Sequence, residues 1–179
     1  RRQRQMCIRD RDKLYAFEVK RASEEDIPAI IKITKDAFLK YCEMAGLSYD
    51  IEALNETYDD VKHDIETKEV YVVFIDNEPI GAVRIELQDN NEAYLSRFAV
   101  KSSERNNGIG KTLMNVVDSV MRENGVKYLR LHTGSHVTPL IRFYYGRGFY
   151  IASVENSRGY PRAELIKDYT KNPQERFCK

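Results

Sequence analysis

The chain has 179 residues, a net charge of +1, 42% hydrophobic and 32% charged residues, and a mean hydropathy of −0.58. These values suit one ordinary soluble domain and exclude disordered or collagen-like classes, while no apolar stretch reaches the ~18 residues of a membrane span. The near-neutral charge gives no reason to expect a nucleic-acid or membrane partner. Three scattered cysteines favour a reducing cytoplasm, since they form neither a disulfide framework nor a metal-binding pair: Cys7, Cys42 and Cys178.

Charge is distributed unevenly along the chain. Residues 1–12 hold five arginines and two aspartates and look like a translated adaptor, so they are predicted to be extraneous or disordered. A basic arm for an anionic partner is the alternative. Residues 24–69 hold thirteen acidic and five basic residues (net −8), whereas residues 101–147 hold eight basic and three acidic (net +5). Residues 13–179 are therefore predicted to be a single domain that meets two differently charged ligands.

Helix signals follow a short predicted strand at residues 15–20. Ser23, with an acidic residue three positions later, is typical of a helix N-cap. Apolar residues at helical spacing predict a helix to about Ala45, which Gly46 ends. A weaker pattern of the same kind predicts a second, more polar helix over residues 50–66.

The remaining elements alternate between strand and helix. A core stripe of apolar residues predicts a third helix that ends at Asn124-Gly125, and a fourth helix is predicted over residues 138–146. The element order is β-α-α-β-β-β-α-β-α-β-β, which indicates an α/β (α+β) fold. After the first strand, the predicted strands cover residues 70–75, 80–87, 93–100, 128–133, 150–154 and 163–168.

The junction between the strand at residues 93–100 and the third helix predicts an anion site. A polar turn, Arg105-Asn106-Asn107-Gly108-Ile109-Gly110, runs directly into this amphipathic helix. The first helical amides have no internal partner, the helix dipole adds about half a positive charge, and glycine lets a phosphate approach the backbone. Lys111 and Arg105 add positive charge.

Residue spacing separates three classes of phosphate-binding loop. A P-loop needs glycine where Arg105 stands, although Gly110-Lys111-Thr112 matches its end. A dinucleotide fingerprint needs a third glycine where Leu113 stands. The pattern that remains is R-x-x-G-x-G, which resembles the acetyl-CoA pyrophosphate loop of the GNAT N-acetyltransferase superfamily.

Two further segments carry this resemblance over residues 15–168. Leu95 to Val100 looks like the family's fourth strand, and residues 129–134 followed by Ile141 to Phe149 look like its fifth strand and its "Y-x-x-x-G-F" helix. The resemblance implies the GNAT fold, a mixed and mostly antiparallel sheet of about seven strands flanked by about four helices. It also implies a slot where the fourth and fifth strands part.

The resemblance implies acetyl-CoA as co-substrate and no metal. Pantetheine would be held by main-chain groups of three strand residues, and the pyrophosphate by the loop. In this sequence the strand residues are Phe98, Ala99 and Val100, and the loop residues are Arg105, Asn106, Asn107, Gly108, Ile109, Gly110 and Lys111.

Tyr144 matches the family's tyrosine, which protonates the departing CoA thiolate; its neighbour Tyr145 lies outside the matching register. Two positions depart from the family. Val137 stands where many members have asparagine, and Tyr94 stands where some members have a glutamate base. Water-mediated substitutes for that base are Glu92, Glu86 and His132.

The implied reaction moves an acetyl group to a primary amine of a small molecule or peptide by direct attack in a ternary complex. The missing carboxylate base mildly favours α-amines, because their pKa of about 8 leaves more free amine at neutral pH than a lysine-like pKa of about 10.4. The acidic segment at residues 24–69 instead indicates a cationic acceptor, such as a polyamine or basic peptide. A non-catalytic acyl-CoA sensor and an enzyme for longer acyl groups are the alternatives. Either a monomer or a homodimer fits the sequence.

Overall fold

The computed structural model describes residues 4–10, 13–104, 108–156 and 158–171. The chain forms two compact units, residues 1–85 with 97–115 and residues 86–96 with 116–179. The strands are β1 (Arg4–Asp10), β2 (Lys13–Arg21), β3 (Glu69–Ile75), β4 (Glu78–Gln88), β5 (Glu92–Val100), β6 (Tyr128–Gly134), β7 (Phe149–Glu155) and β8 (Arg162–Asp168). The helices are α1 (Ile27–Ala45), α2 (Tyr58–Thr67), α3 (Ile109–Glu123) and α4 (Thr138–Gly146).

The first unit contains an antiparallel sheet covered by α1 and α2. Its strands follow the order β1-β2-β3-β4, and the C-terminal half of β5 lies next to β4. Val19 is paired with Val73, and Val72 is paired with Ala82. All four residues are buried, and two of them, Val72 and Val73, are consecutive in β3. Apolar residues of both helices pack on this sheet in one core cluster: Ala22, Ile27, Ile30, Val61, Val70, Val72 and Ala82.

Local signals set the ends of α1. The Ser23 amide donates to Asp26 Oδ2 at 2.8 Å, and Asp26 also pairs with Lys20 at 3.0 Å. A single 3-10 turn, Glu24–Asp26, precedes the helix. Gly46 ends it with a φ of 65°, a left-handed conformation that glycine adopts without a Cβ penalty. Gly46 is therefore the predicted C-cap, whereas Ser23 caps the 3-10 turn that leads into α1 and Asp26 is the N-cap of α1 itself.

The second helix starts later than the sequence pattern predicts. A 3-10 turn at Glu52–Leu54 comes first, and α2 begins only at Tyr58. Thr57 and Asp60 form a capping box, with the Thr57 amide donating to Asp60 Oδ2 at 2.8 Å. In return, Thr57 Oγ1 accepts from the Asp60 amide at 3.3 Å, which fixes the helix start at this point. The prediction of one helix over residues 50–66 was therefore wrong in its first half.

The second unit contains strands in the order β5-β6-β8-β7. β5 and β6 are parallel and pair from Glu92 with Tyr128 to Tyr94 with Arg130. β8 is antiparallel to both β6 and β7, so the predicted closing hairpin is present. The sheet is mixed because β5 and β6 are parallel while β8 is antiparallel to its neighbours, as expected of the GNAT fold.

All seven predicted strands and all four predicted helices are present in the described residues. The structure adds β1, which pairs with β2 from Arg4 with Val19 to Asp10 with Lys13. That β1 segment lies within residues 1–12, whose extraneous origin stays a prediction, as does the assignment of residues 13–179 to one domain. In the part of the chain that the structure describes, no helix is long and apolar enough to cross a membrane.

Candidate active site

The N-terminus of α3 has the geometry of a phosphate site. Gly108 directly precedes the helix with a φ of 78°, and its carbonyl accepts from the Thr112 amide at 3.0 Å. A Cβ built on Gly108 would meet no heavy atom within 4 Å among the residues that the structure describes, its two chain neighbours set aside. Ile109 is buried, Gly110 is partly exposed and Lys111 is exposed. The first turn therefore presents backbone amides and one lysine to an incoming anion, and these residues fit a CoA pyrophosphate.

Gly81 of β4 allows the start of α3 to pack close to β4 and β5. A Cβ at Gly81 would lie 3.0 Å from Leu113 Cδ1, 3.2 Å from the Ala99 carbonyl oxygen and 3.5 Å from Ile109 Cγ2. The absence of a side chain at Gly81 thus lets α3 and β5 pack tightly on β4. This position was not singled out in the sequence, because its role depends on which elements pack over it.

The three strand residues expected to hold pantetheine lie at the end of β5. Ala99 is buried at 1% exposure, while Phe98 and Val100 are partly exposed. Ala99 packs in a small cluster with residues of α1, so its side chain is part of the hydrophobic core. Arg97, just before them, has a φ of 48°, a left-handed conformation inside a strand. The main chain of β5 is therefore irregular where the cofactor is expected.

Three of the predicted loop residues lie outside the described residues: Arg105, Asn106 and Asn107. The other loop residues, from Gly108 to Lys111, and the strand residues Phe98 to Val100 all belong to the first unit. The structure thus brings seven of the ten predicted cofactor residues into one unit, at the end of β5 and the start of α3.

Tyr144 and Tyr145 differ in their surroundings on α4. Tyr144 is buried, with its ring packed edge-on against Phe143 at 5.3 Å and Phe149 at 5.5 Å between ring centroids. Tyr145 is 50% exposed, and its hydroxyl accepts from the Ile151 amide at 3.4 Å. Of the two neighbouring tyrosines, Tyr144 is thus the one enclosed by other aromatic rings, in the second unit.

A buried polar cluster fixes the end of α4 next to Tyr144. Asp118 of α3 accepts from Lys167 Nζ at 2.6 Å, from the Tyr169 hydroxyl at 2.6 Å and from Arg147 Nη2 at 3.3 Å. Burial, together with the hydrogen bond to Asp118, raises the pKa of Tyr169 far above its usual value. These contacts tie α3, α4 and β8 together and hold the backbone that carries Tyr144.

The two departures from the family pattern have clear structural roles. Val137 is buried at the position before α4. The Tyr94 hydroxyl lies 2.9 Å from His132 Nδ1, so the tyrosine in the place of a carboxylate contacts one of the proposed substitute bases. Spacing in the sequence could not show this contact, since the two residues are 38 positions apart on different strands.

The other two substitute bases are less suited to the role. Arg130 contacts Glu92 through two nitrogens, at 3.0 and 3.2 Å. The hydrogen bond from Arg130 lowers the pKa of Glu92, which makes this carboxylate a weaker proton acceptor. Glu86 is exposed near the end of β4. Of the three candidate bases, His132 is therefore the one whose contacts best suit proton transfer.

An internal ion network anchors the acidic segment to the sheet of the first unit. Arg84, only 2% exposed, donates to both Glu56 oxygens at 2.8 and 2.7 Å and to Asp64 at 2.6 Å. Arg97 Nε donates to Glu56 at 2.6 Å, and Lys68 pairs with Asp64 at 2.7 Å. Burial would raise the pKa of Asp64, but hydrogen bonding from Lys68 and the charge of Arg84 give a net lowering. An arginine inside the apolar run of β4 was the available sequence signal for this network.

Comparison with known proteins identifies the family. The family model described as "Acetyltransferase (GNAT) family" matches residues 29–149, about two thirds of the chain. The chain belongs to the GNAT acetyltransferase family. It is accordingly an acyltransferase of the GNAT type.

Two sequence relatives of this GNAT protein carry acetyltransferase names. It is 24% identical over 133 residues to a putative acetyltransferase of Bacillus subtilis, covering 74% of this chain and 82% of that protein. It is 23% identical over 151 residues to the spermidine N(1)-acetyltransferase of Thermoplasma acidophilum, covering 79% of this chain and 93% of the relative.

Solved structures show the same fold. The PaiA N-acetyltransferase of Thermoplasma acidophilum, in complex with coenzyme A, superposes with a TM-score of 0.74 at 22% identity, covering 86% of this chain and 99% of that one. A GNAT-family acetyltransferase of Staphylococcus aureus superposes with a TM-score of 0.69 at 16% identity, with the same coverage of both chains. The predicted GNAT fold is therefore confirmed.

Proposed function

We propose that this GNAT enzyme transfers an acetyl group from acetyl-CoA to a primary amine of a small cationic molecule, by direct attack in a ternary complex. The observation that carries the proposal is the start of α3, where Gly108 in a left-handed conformation directly precedes the first helical amides. This arrangement suits the pyrophosphate of a CoA thioester.

The residues of the first unit would bind and orient the co-substrate. Acetyl-CoA supplies an activated acetyl group and a thiolate leaving group. Lys111 and the amides of Ile109 and Gly110 would bind the pyrophosphate. Main-chain groups from Phe98 to Val100 would hold the pantetheine arm, while buried Ala99 fixes that part of the strand.

Tyr144 would supply the proton that the leaving sulfur needs. A phenol pKa of about 10 lies above a thiol pKa of about 8.5, so full transfer to a free thiolate is not strongly driven. The phenol is therefore best suited to donating a hydrogen bond to the sulfur as negative charge develops there. The aromatic rings packed around Tyr144 leave its orientation little freedom.

Charge supports a cationic acceptor. Within the described residues, seven of the thirteen carboxylates at residues 24–69 pair with basic side chains, and four of those bases lie outside the segment: Lys20, Arg21, Arg84 and Arg97. Adding their +4 to the net −8 leaves −4, so the surface keeps an acidic excess. Exposed carboxylates that contribute to it are Glu25, Asp50, Asp59 and Glu66. The named activity of the Thermoplasma relative, spermidine acetylation, agrees with such an acceptor.

A thiol-release assay tests this proposal. Purified protein is incubated with acetyl-CoA and a panel of polyamines, amino acids, aminoglycosides and basic peptides, and free CoA is measured. We expect turnover with polyamines to exceed turnover with neutral or acidic amines. Binding of acetyl-CoA with no CoA release from any amine would instead support a sensor, and a preference for acidic amines would contradict the cationic acceptor.

A further inference from the structure

A tyrosine and a histidine lie next to each other at the end of the described pairing between β5 and β6. The Tyr94 hydroxyl lies 2.9 Å from His132 Nδ1, and the two ring centroids are 5.7 Å apart. Tyr94 is paired with Arg130 of β6, and in the described residues the β5–β6 pairing ends there. Both side chains are partly exposed. The hydroxyl therefore lies next to a ring nitrogen at the last residue pair of the described β5–β6 pairing.

The far side of the imidazole faces a carboxylate. His132 Nε2 lies 3.9 Å from Glu155 Oε1, too far for a direct hydrogen bond but close enough to attract an imidazolium. With Nδ1 accepting from Tyr94, the neutral ring carries its hydrogen on Nε2, toward Glu155. Charge on Glu155 would thus favour the protonated form of His132 once a proton arrives.

Other charged groups keep the resting ring neutral. Burial and the positive charge of Arg162 on β8 lower the pKa of His132 below its usual value of about 6.5. Arg158, in the connection between β7 and β8, acts in the same direction, while Glu164 and Glu155 act against it. His132 is therefore a neutral imidazole at pH 7, with a lone pair on Nδ1 that can accept a proton.

We propose that Tyr94 and His132 form a relay that takes the proton from the ammonium group of the acceptor. This inference rests on the proposed acetyl transfer and names its base. The ammonium N–H bond breaks and its electron pair stays on nitrogen; the proton passes to the Tyr94 oxygen as the phenolic proton moves to His132 Nδ1. An ammonium ion and a neutral imidazole thus become a free amine and an imidazolium, which then loses its proton to solvent.

The relay would remove the main obstacle for a polyamine acceptor. An amine with a pKa of about 10.4 has only about one molecule in 2,500 in the free form at pH 7. The side chain of His132 is 21% exposed, which leaves a path for proton exchange with solvent. Glu92, the nearest carboxylate along β5, is occupied by Arg130 and does not compete for this role.

The experiment compares wild type with the variants His132→Gln and Tyr94→Phe, using two amines. One amine has a pKa near 10, and the other has a pKa below the assay pH and needs no base. With the first amine, wild-type kcat/KM should level off above the pKa of His132. In either variant, kcat/KM for this first amine should be at least tenfold lower than in wild type at pH 7 and should rise about tenfold per pH unit. With the second amine, the variants should match wild type.

Controls separate this relay from a structural role. His136→Gln changes an exposed histidine four positions along the chain and should leave both profiles unchanged. An equal loss with both amines, or wild-type profiles in both variants, would overturn the relay. Calorimetry with acetyl-CoA shows whether each variant is folded. If His132→Gln does not fold, Tyr94→Phe, which keeps the aromatic ring, tests the relay by itself. Wild-type protein that acetylates no amine would contradict the proposed function itself.

Discussion

At the scale of single residues, Tyr144 offers the clearest test of the chemical step. Phenylalanine keeps the ring that packs against Phe143 and Phe149 and deletes only the hydroxyl. General acid catalysis typically contributes about a hundredfold, so Tyr144→Phe should lower kcat by about that factor. Acetyl-CoA affinity should change little, because the lost hydrogen bond forms chiefly in the transition state. Steady-state kinetics and calorimetry measure the two quantities.

The neighbouring tyrosine provides the matched control. Tyr145 is half exposed and its hydroxyl accepts from a backbone amide, so Tyr145→Phe should keep wild-type kcat. A damaged Tyr145→Phe, or a Tyr144→Phe variant with wild-type kcat when chemistry is rate-limiting, would show that protonation comes from another donor.

Gly108 tests the phosphate site. Its φ of 78° is strained for any residue with a β-branched side chain, and that side chain would stand at the helix start where the pyrophosphate is proposed to bind. Gly108→Val should therefore weaken acetyl-CoA binding at least tenfold by calorimetry. Gly125→Val is the control, since Gly125 has a φ of 64° with equally open surroundings just beyond the other end of α3. Equal acetyl-CoA affinity in both folded variants would show that the pyrophosphate does not bind at this helix start.

At the scale of elements, Gly81 sets the distance between β4 and the start of α3. The branches of a valine would extend the contacts already within 3.2 Å of Leu113 and the Ala99 oxygen. Overpacking of this kind costs about 1–3 kcal/mol, so Gly81→Val should lower the free energy of unfolding by that amount and also weaken acetyl-CoA binding. Gly146→Ala, with no atom within 4 Å of the new Cβ, should do neither. Urea unfolding and calorimetry decide between these outcomes.

The buried ion network gives a prediction for how the acidic segment is attached. Removing the charge of Glu56 leaves Arg84 buried with a weaker partner, and breaking such a pair costs about 3–5 kcal/mol. Glu56→Gln should therefore lower the free energy of unfolding by about 3 kcal/mol in urea. Glu43→Gln breaks an exposed pair with Lys40 and should cost less than about 1 kcal/mol. Similar losses in both variants would show that the network contributes no more than a surface pair.

Most elements could be predicted because their signals are local. Gly46 ends α1 as expected, and the apolar stripe of α3 matches its buried face, including Leu113 and Val117. The start of α2 could not be predicted from apolar spacing, since Thr57 and Asp60 fix it through side-chain hydrogen bonds. Side-chain capping overrode a weak periodic pattern there.

The geometry of the candidate site could be predicted only where one continuous segment contains all of its residues. The Gly108 turn and α3 are contiguous, so their spacing in sequence determines their geometry. Gly81, Arg84 and the Tyr94–His132 pair depend on contacts between segments far apart in sequence, such as the 38 residues that separate Tyr94 from His132. Strand register decides such contacts, and composition does not record it.

At the scale of the whole molecule, the uneven charge predicts how salt affects the acceptor. Residues 24–69 carry a net −8, and attraction between exposed charges is screened over about 8 Å at physiological ionic strength. The KM for a polyamine should therefore rise several-fold from low to physiological salt. An amino acid amide, with a single positive charge, is the control and should respond less. A polyamine KM that does not change with salt would contradict electrostatic attraction.

The most direct test of the central claim follows both products of one reaction. Wild-type protein is incubated with acetyl-CoA and a polyamine, and free CoA and acetylated polyamine are quantified by mass spectrometry. Acetyl transfer predicts one acetylated amine for each CoA released, with Gly108→Val losing both products together at limiting acetyl-CoA. Release of CoA without acetylated amine, or formation of neither product by wild type, would contradict it.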